Sequence, residues 1–211
     1  MAKGKTTPRL AILISGRGSN MRALVEAAEH KMFKADIVLV ASNKPQAAGL
    51  DFAKDHEIPT AVIDHRRHED RESFERALDA VLRDARVDLI CLAGFMRVLT
   101  PWFITRWQGR LINIHPALLP SYKGLHTHER ALADGVKIHG CTVHHVVPEV
   151  DAGPILAQAA VPVMPDDTAE TLAERVLAAE HRLYPLALQK FLAEKPDLAQ
   201  KSDPKGQLIV F

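Results

Sequence analysis

Apolar runs alternate with segments of helical period along most of this 211-residue chain. Short apolar runs bounded by polar residues predict buried strands, and segments with apolar residues three and four positions apart predict helices. The predicted strands are 10–14, 36–41, 60–63, 87–93 and 111–114, and the predicted helices between them are 22–30, 47–56 and 71–86. This order predicts an α/β fold: a Rossmann-like, open, mainly parallel sheet with helices on both faces.

After about residue 140 the pattern changes. Two extended segments, 143–147 and 155–163, are separated by a turn that contains Gly and Pro. Such a pair predicts an antiparallel extension of the sheet near the C-terminal half, since a short connection suits antiparallel neighbours. A long helix is predicted to follow from Asp167 to about residue 192, with Asp167 and Glu170 at capping-box spacing.

The chain length and the 47% hydrophobic content predict one domain, residues 1–211, with a substantial core. We expect its ends, residues 1–8 and about 195–205, to be flexible. Cys91 and Cys141 lie in apolar stretches without Cys-x-x-Cys spacing, which favours reduced, buried thiols.

The formal charge of +1, without a dense run of Lys and Arg, argues against a nucleic-acid partner. No apolar segment is long enough for a signal peptide or a membrane span, so we expect no membrane partner and a cytoplasmic location. The oligomeric state is left open.

The turn after the first predicted strand, Ser15-Gly-Arg-Gly-Ser-Asn20, combines two glycines with small polar residues at a helix start. Exposed N–H groups at such a start favour an anion. The turn is neither a Walker A sequence nor a G-x-G-x-x-G dinucleotide motif, so a small phosphate ester fits better than ATP or NAD. The alternative is a tight turn that Ser19 or Asn20 caps.

Asn113 and His115 lie two residues apart on an apolar strand and must therefore share a face. An amide donor beside an imidazole suits acyl transfer, which needs a hydrogen-bond donor for an oxyanion and a group that moves a proton near neutral pH. Asp151 is the carboxylate that we expect to orient His115. The alternative is an ordinary pair at a strand end and an ordinary turn Asp.

Glu180 interrupts an apolar stripe of the long predicted helix. A carboxylate at such a position needs a partner, either an internal Arg or the cationic amine of a ligand. The eleven His residues do not form a recognisable metal motif, and the adjacent His144 and His145 would face opposite ways on a strand, so we expect no metal.

Several motifs together resemble those of the phosphoribosylglycinamide formyltransferase family, the folate-dependent GAR transformylases of purine synthesis. The resemblance covers about residues 11–186, and Ala117 stands where the family usually has Ser. The motifs are Ser15-Gly-Arg-Gly-Ser-Asn20, Leu92-Ala-Gly-Phe-Met-Arg97, Asn113-Ile-His-Pro-Ala-Leu-Leu-Pro120, Gly124-Leu-His-Thr-His128, His139-Gly-Cys-Thr-Val-His144, Asp151-Ala-Gly-Pro-Ile155 and Glu180-His-Arg-Leu-Tyr-Pro185.

The resemblance implies formyl transfer from 10-formyltetrahydrofolate, as cosubstrate, to the amine of glycinamide ribonucleotide. It implies a tetrahedral intermediate stabilised by Asn113 and His115, with Asp151 supporting the histidine and no metal required. The other implied roles are phosphate binding by Gly18, Ser19 and Asn20, contact of Glu180 with the glycinamide amine, and folate binding by Arg71, Met96, Arg97, Val98, Leu99 and Asn113. A loop near the substrates is expected at 118–128.

Three other functions compete with this one. A formyltetrahydrofolate hydrolase usually has an extra N-terminal domain and a different first turn. A methionyl-tRNA formyltransferase would need a C-terminal extension and a basic surface for tRNA. A non-catalytic phosphate-binding module on the same scaffold would explain Gly18 to Asn20, but not Asn113, His115 and Asp151 together.

Overall fold

The computed structural model of the chain describes residues 7–195 and Leu198. The strands in this part of the chain are β1 (Arg9–Ile14), β2 (Asp36–Ser42), β3 (Thr60–Val62), β4 (Leu89–Leu92), β5 (Leu111–His115), β6 (Ile138–His145) and β7 (Ile155–Pro162). The helices are α1 (Ser19–Glu29), α2 (Gly49–Asp55), α3 (Arg71–Asp84), α4 (Pro101–Arg106), α5 (Thr127–Ala133) and α6 (Ala169–Glu194), with a short 3-10 helix at His65–Arg67.

The strands form one sheet in the order β3-β2-β1-β4-β5-β6-β7. Strands β1 to β5 pair in parallel, whereas β6 and β7 are antiparallel to their neighbours. The predicted α/β class, with its antiparallel extension, is confirmed. The strand order reverses between β1 and β4, and in open α/β sheets ligands collect outside the carboxyl ends of the strands at such a point.

Two hydrophobic clusters lie on opposite faces of the sheet, and β1 contributes to both. Leu10, Ile12 and Ile14 pack in the cluster that includes α1 and α6, while Ala11 and Leu13 pack in the cluster that includes α3 and α4. All five side chains have no exposed surface. Burial on both faces explains why this strand is apolar throughout.

The long helix α6 is fixed to the sheet by a polar contact as well as by packing. The buried Tyr184 hydroxyl lies 3.1 Å from the Leu92 carbonyl oxygen and 3.3 Å from that of Ile112. Its one hydrogen is therefore shared between the backbone of β4 and that of β5, the two strands nearest the predicted chemistry. Both cysteines are free and buried, as predicted.

Several predicted boundaries were wrong. Helix α1 begins at Ser19 rather than at residue 22, and β6 begins at Ile138 rather than at residue 143. The capping box of α6 pairs Thr168 with Thr171, not Asp167 with Glu170, because Asp167 instead accepts hydrogen bonds from the Thr171 hydroxyl and from Arg175. Helices α4 and α5, of six and seven residues, were not predicted because they are too short to show a period.

The predicted flexible ends, 1–8 and 195–205, lie almost wholly outside the described residues and stay a prediction. Within the described residues, none of the helices combines the length and the apolar character needed to cross a membrane.

Candidate active site

A cavity of about 670 Å³ opens at the carboxyl ends of β4 and β5. It is bounded by the start of α1, the segment after β4, the loop before α5, the turn after β6 and one residue of α6. The predicted site residues among its lining are Asn20, Met96, Arg97, Val98, Leu99, Asn113, His115, Asp151 and Glu180. Gly18, Ser19 and Arg71 are not part of the lining.

The antiparallel pairing of β5 with β6 brings a second histidine to Asn113. Asn113 and His144 are direct partners in this register, and the Asn113 Nδ2 atom lies 3.3 Å from His144 Nε2. His144 Nδ1 lies 2.8 Å from the His145 carbonyl oxygen and donates to it, so Nε2 is left as the acceptor. Burial lowers the pKa of His144, which favours this neutral form. The Asn113 amide is therefore oriented with its nitrogen toward His144.

Asp151 reaches both histidines from the turn that follows β6. One carboxylate oxygen, Oδ2, lies 3.3 Å from His115 Nδ1, and the other, Oδ1, lies 3.7 Å from His144 Nε2. His115 is buried, with 5% of its surface exposed. Asn113, His115 and Asp151 line the same cavity, although 38 positions separate Asn113 from Asp151 along the chain.

Backbone groups of the loop before α5 also contact His115 and Asp151. His115 Nε2 lies 2.9 Å from the Tyr122 carbonyl oxygen, and the Gly124 N–H donates to Asp151 Oδ2 at 2.8 Å. Both ring nitrogens of His115 thus face acceptors, a carboxylate and a carbonyl. An imidazolium, with two N–H donors, satisfies both contacts, whereas either neutral tautomer satisfies only one.

Glu180 projects from α6 into the cavity and meets Asn20. Its Oε2 atom accepts a hydrogen bond of 2.7 Å from Asn20 Nδ2. Burial, which leaves 6% of the residue exposed, raises the pKa of the Glu180 carboxyl to about 7. The internal arginine considered as a partner is absent from the contacts of Glu180 among the described residues. The other buried Asn20 atom, Oδ1, has no partner within the same part of the chain.

The first turn of α1 has the properties of an anion site. Within the described residues no side chain caps this helix, because the N-cap residue is Gly18, and Asn20 turns toward Glu180. Its first N–H groups are therefore free for a ligand. Gly18, immediately before the helix, has a φ of +71°, and a Cβ atom there would lie 2.9 Å from Met21 Cε. Glycine allows this left-handed turn and the close approach together.

The segment after β4 forms an apolar wall of the cavity. Met96 and Val98 are 61% and 56% exposed, and Leu99 is buried. Arg97 lies between them, and its buried Nε atom has no partner among the described residues. Arg71, by contrast, is the exposed first residue of α3, so its predicted contact with folate stays a prediction.

His128, which lines the cavity, packs against a further histidine, His139. The rings of His128 and His139 are 5.3 Å apart, and burial lowers the pKa of both, that of His139 to about 4. Across residues 7–195 and Leu198, no three His, Cys, Asp or Glu side chains form a group that could hold a metal ion.

Comparison with known proteins shows the family to which the chain belongs. The family described as Formyl transferase matches residues 8–188. The chain belongs to the formyl transferase family.

Within that family, the chain is similar to proteins whose names agree with the resemblance found in its motifs. It is 42% identical to a phosphoribosylglycinamide formyltransferase of Escherichia coli (strain K12), with 86% of each chain covered. It is 51% identical, over 86% of its own length, to the trifunctional purine biosynthetic protein adenosine-3 of Bos taurus, but it spans 18% of that protein. The crystal structure of phosphoribosylglycinamide formyltransferase from Brucella melitensis matches with a TM-score of 0.85 and 55% identity, covering 89% of this chain and 97% of that one. These findings confirm the resemblance.

The sequence of this formyl transferase family member did not predict all of the cavity. His144 was predicted only as part of a motif and weighed as a metal ligand, although its place opposite Asn113 would follow from the register of β5 and β6. The segment 118–128 was predicted to lie near the substrates, and its residues Gly124 to His128 line the cavity. The backbone contacts of Tyr122 and Gly124 within it leave no signal in side-chain chemistry. The lining also includes Glu129 of α5, which was not predicted.

Proposed function

We propose that the protein transfers a formyl group from 10-formyltetrahydrofolate to the amine of glycinamide ribonucleotide, a step of purine biosynthesis. The observation that carries this proposal is the meeting of Asn113, His115 and Asp151 on the wall of one cavity. A phosphate-binding module would have no use for these three groups beside the anion site.

The acceptor substrate would lie along α1 and α6. Its phosphate would bind the free N–H groups at Gly18, Ser19 and Asn20, where the helix dipole also favours an anion. Its amine would lie near Glu180, whose buried carboxyl has no cationic partner among the described residues. The same carboxylate could take a proton from an ammonium group, because a pKa of about 7 allows exchange near neutral pH.

Attack of the free amine on the formyl carbon forms a C–N bond and moves an electron pair onto the formyl oxygen. Asn113 would donate an N–H to this oxyanion, and the contact with His144 would limit rotation of the amide. The tetrahedral carbon then expels the folate nitrogen, which needs a proton as the attacking nitrogen loses one.

His115 and Asp151 would provide the path by which the proton moves from the attacking nitrogen to the leaving nitrogen. The Asp151 carboxylate, 3.3 Å from His115 Nδ1, would fix the orientation of the ring. In this conformation Nε2 donates to the Tyr122 carbonyl oxygen. A direct bond from Nε2 to the oxyanion would therefore require the ligand oxygen to replace that carbonyl, whereas a water on Asp151 could move the proton without this exchange.

The formyl donor would bind against the apolar wall at Met96, Val98 and Leu99, with Arg97 beside it. Exposed apolar side chains at a cavity mouth are typical of a site for a flat aromatic ligand. Arg71 would contribute only at the outer end of the donor, since it is outside the cavity lining.

The test is an assay of the purified protein with glycinamide ribonucleotide and 10-formyltetrahydrofolate, measuring formylated product and free formate, with a control that lacks the amine substrate. Formylated product that depends on the amine substrate would support the proposal. Equal release of formate without the amine substrate would indicate a hydrolase instead. Binding of either substrate without any product would favour the non-catalytic module.

A further inference from the structure

The segment 94–100, between β4 and α4, forms the apolar wall of the cavity but has no helix or strand of its own. Met96 and Val98 are more than half exposed, and only Leu99 and the partly buried Phe95 pack against the hydrophobic cluster. A segment with so little apolar burial depends on hydrogen bonds for its shape. Two buried polar side chains supply these bonds, and neither of them lines the cavity.

Ser15, at the end of β1, holds the first half of the 94–100 segment. Its hydroxyl oxygen accepts a hydrogen bond of 2.8 Å from the Met96 N–H, and the hydroxyl donates to Asn43 Oδ1 at 2.5 Å. Asn43 lies within hydrogen-bond distance of His65. Ser15 and Asn43 are 5% and 2% exposed. Because the one hydroxyl hydrogen goes to Asn43, the lone pairs of Ser15 are directed to Met96.

Glu75, on α3, forms hydrogen bonds with Thr100 at the other end of the 94–100 segment. Its Oε1 atom accepts a hydrogen bond of 2.7 Å from the Thr100 N–H, and its Oε2 atom accepts from the Thr100 hydroxyl. The Glu75 side chain is fully buried, and Thr100 is the N-cap of α4. Burial of a carboxylate is costly, and the two bonds to Thr100 compensate for this cost more than the charge of Arg71 does.

We propose that Ser15 and Glu75 are positioning residues for the formyl donor, because they fix the two ends of the 94–100 segment against which the donor binds. This inference rests on the proposed function. One side chain reaches the segment from the end of β1, and the other reaches it from α3. Loss of either would let one end of the wall move while the acceptor site at α1 and α6 stays in place.

The test compares Ser15→Ala and Glu75→Met with the unaltered enzyme. Each variant removes an acceptor from the segment, and Met keeps the length of Glu without its oxygens. Since one buried hydrogen bond contributes on the order of 1 kcal/mol, we expect the KM for 10-formyltetrahydrofolate to rise by about five- to tenfold. The KM for glycinamide ribonucleotide should change by less than about twofold. The dissociation constant of tetrahydrofolate, measured by calorimetry, should rise in parallel.

Two further variants separate positioning from general destabilisation. Glu75→Gln keeps an oxygen for the Thr100 N–H and offers an N–H to the Thr100 hydroxyl, so it should restore near-normal donor affinity. Ser73→Ala removes the half of the capping box in which the Ser73 hydroxyl accepts from the Asp70 N–H, without touching the segment, so it should lower stability and leave both KM values unchanged.

A rise in the KM of the amine substrate equal to that of the donor, or unchanged donor affinity in both Ser15→Ala and Glu75→Met, would overturn the proposal. If the unaltered protein forms no formylated product, the proposed function fails, but tetrahydrofolate binding still decides the role of the two residues. If the unaltered protein does not bind tetrahydrofolate either, the positioning inference fails with it.

Discussion

Replacement of Glu180 by Gln should make the unliganded protein more stable while it weakens substrate binding. The carboxyl has an ordinary pKa of 4.5, and burial raises this pKa to about 7 in the folded chain. Between these two values the folded state binds more protons than the unfolded state, so stability falls as the pH rises through this interval. Gln keeps an oxygen for Asn20 Nδ2 and carries no charge.

The size of the effect follows from the same two pKa values. One pKa unit corresponds to about 1.4 kcal/mol, so an ionised Glu180 destabilises the unliganded protein by up to about 3 kcal/mol above pH 8. At pH 5 the carboxyl is still protonated in the folded state, and the cost is below about 1 kcal/mol. Since the residue is 6% exposed, solvent screens little of this cost.

The assay is urea unfolding of the unaltered protein and Glu180→Gln at pH 5 and pH 8, without ligands. The advantage of the variant in unfolding free energy should grow by about 2 to 3 kcal/mol between the two pH values. Glu174→Gln, which removes an exposed charge from the same helix, should not reproduce this growth. A difference that does not change with pH, or a Glu180→Gln variant that is less stable at pH 8, would refute the reasoning.

Three other predictions concern residues of the site and residues of the surrounding fold. Asn113→Ala and Asp151→Asn should each lower kcat by about a hundredfold or more with an unchanged far-UV circular dichroism spectrum, since each removes a group that would stabilise developing charge; near-normal turnover in either variant would remove its assigned role. Gly18→Ala should weaken binding of glycinamide ribonucleotide and cost about 1 to 2 kcal/mol, measured by titration and thermal unfolding, because it strains a positive φ and places a Cβ 2.9 Å from a neighbouring side chain. Gly135→Ala, with a φ of +66° and nothing within 4 Å of its Cβ, is the matched control and should show only the stability loss. Tyr184→Phe should cost about 1 to 2 kcal/mol in urea unfolding through loss of its bonds to two buried carbonyls, with both KM values unchanged, and a shift in either KM would indicate that the hydroxyl also shapes the cavity.

The repeating patterns of the sequence predicted much of the fold and part of the site. The period of two in β5 put Asn113 and His115 on one face, and the helical stripe of α6 put Glu180 toward the core. Both inferences need only the geometry within one element. The parallel sheet followed in the same way, because strands buried on both faces are apolar throughout.

Features that depend on how elements meet could not be predicted so directly. The contact of His144 with Asn113 depends on the register of two strands, which is set by pairing and not by composition. The start of α1 at Ser19 depends on the left-handed conformation of Gly18, which allows the helix to begin three residues before its first clear apolar period.

The pairing of β6 with β5 has a consequence for how the chain can change in length. His144 and His145 are adjacent, and the strand register aligns the first of them with Asn113. Loss of one residue from the earlier part of β6 would bring His145 to that position, whereas gain of one residue would bring Val143 there and leave the amide without an imidazole neighbour. A deletion could thus spare the contact that an insertion abolishes. Insertions and deletions in this strand should therefore be tolerated unequally.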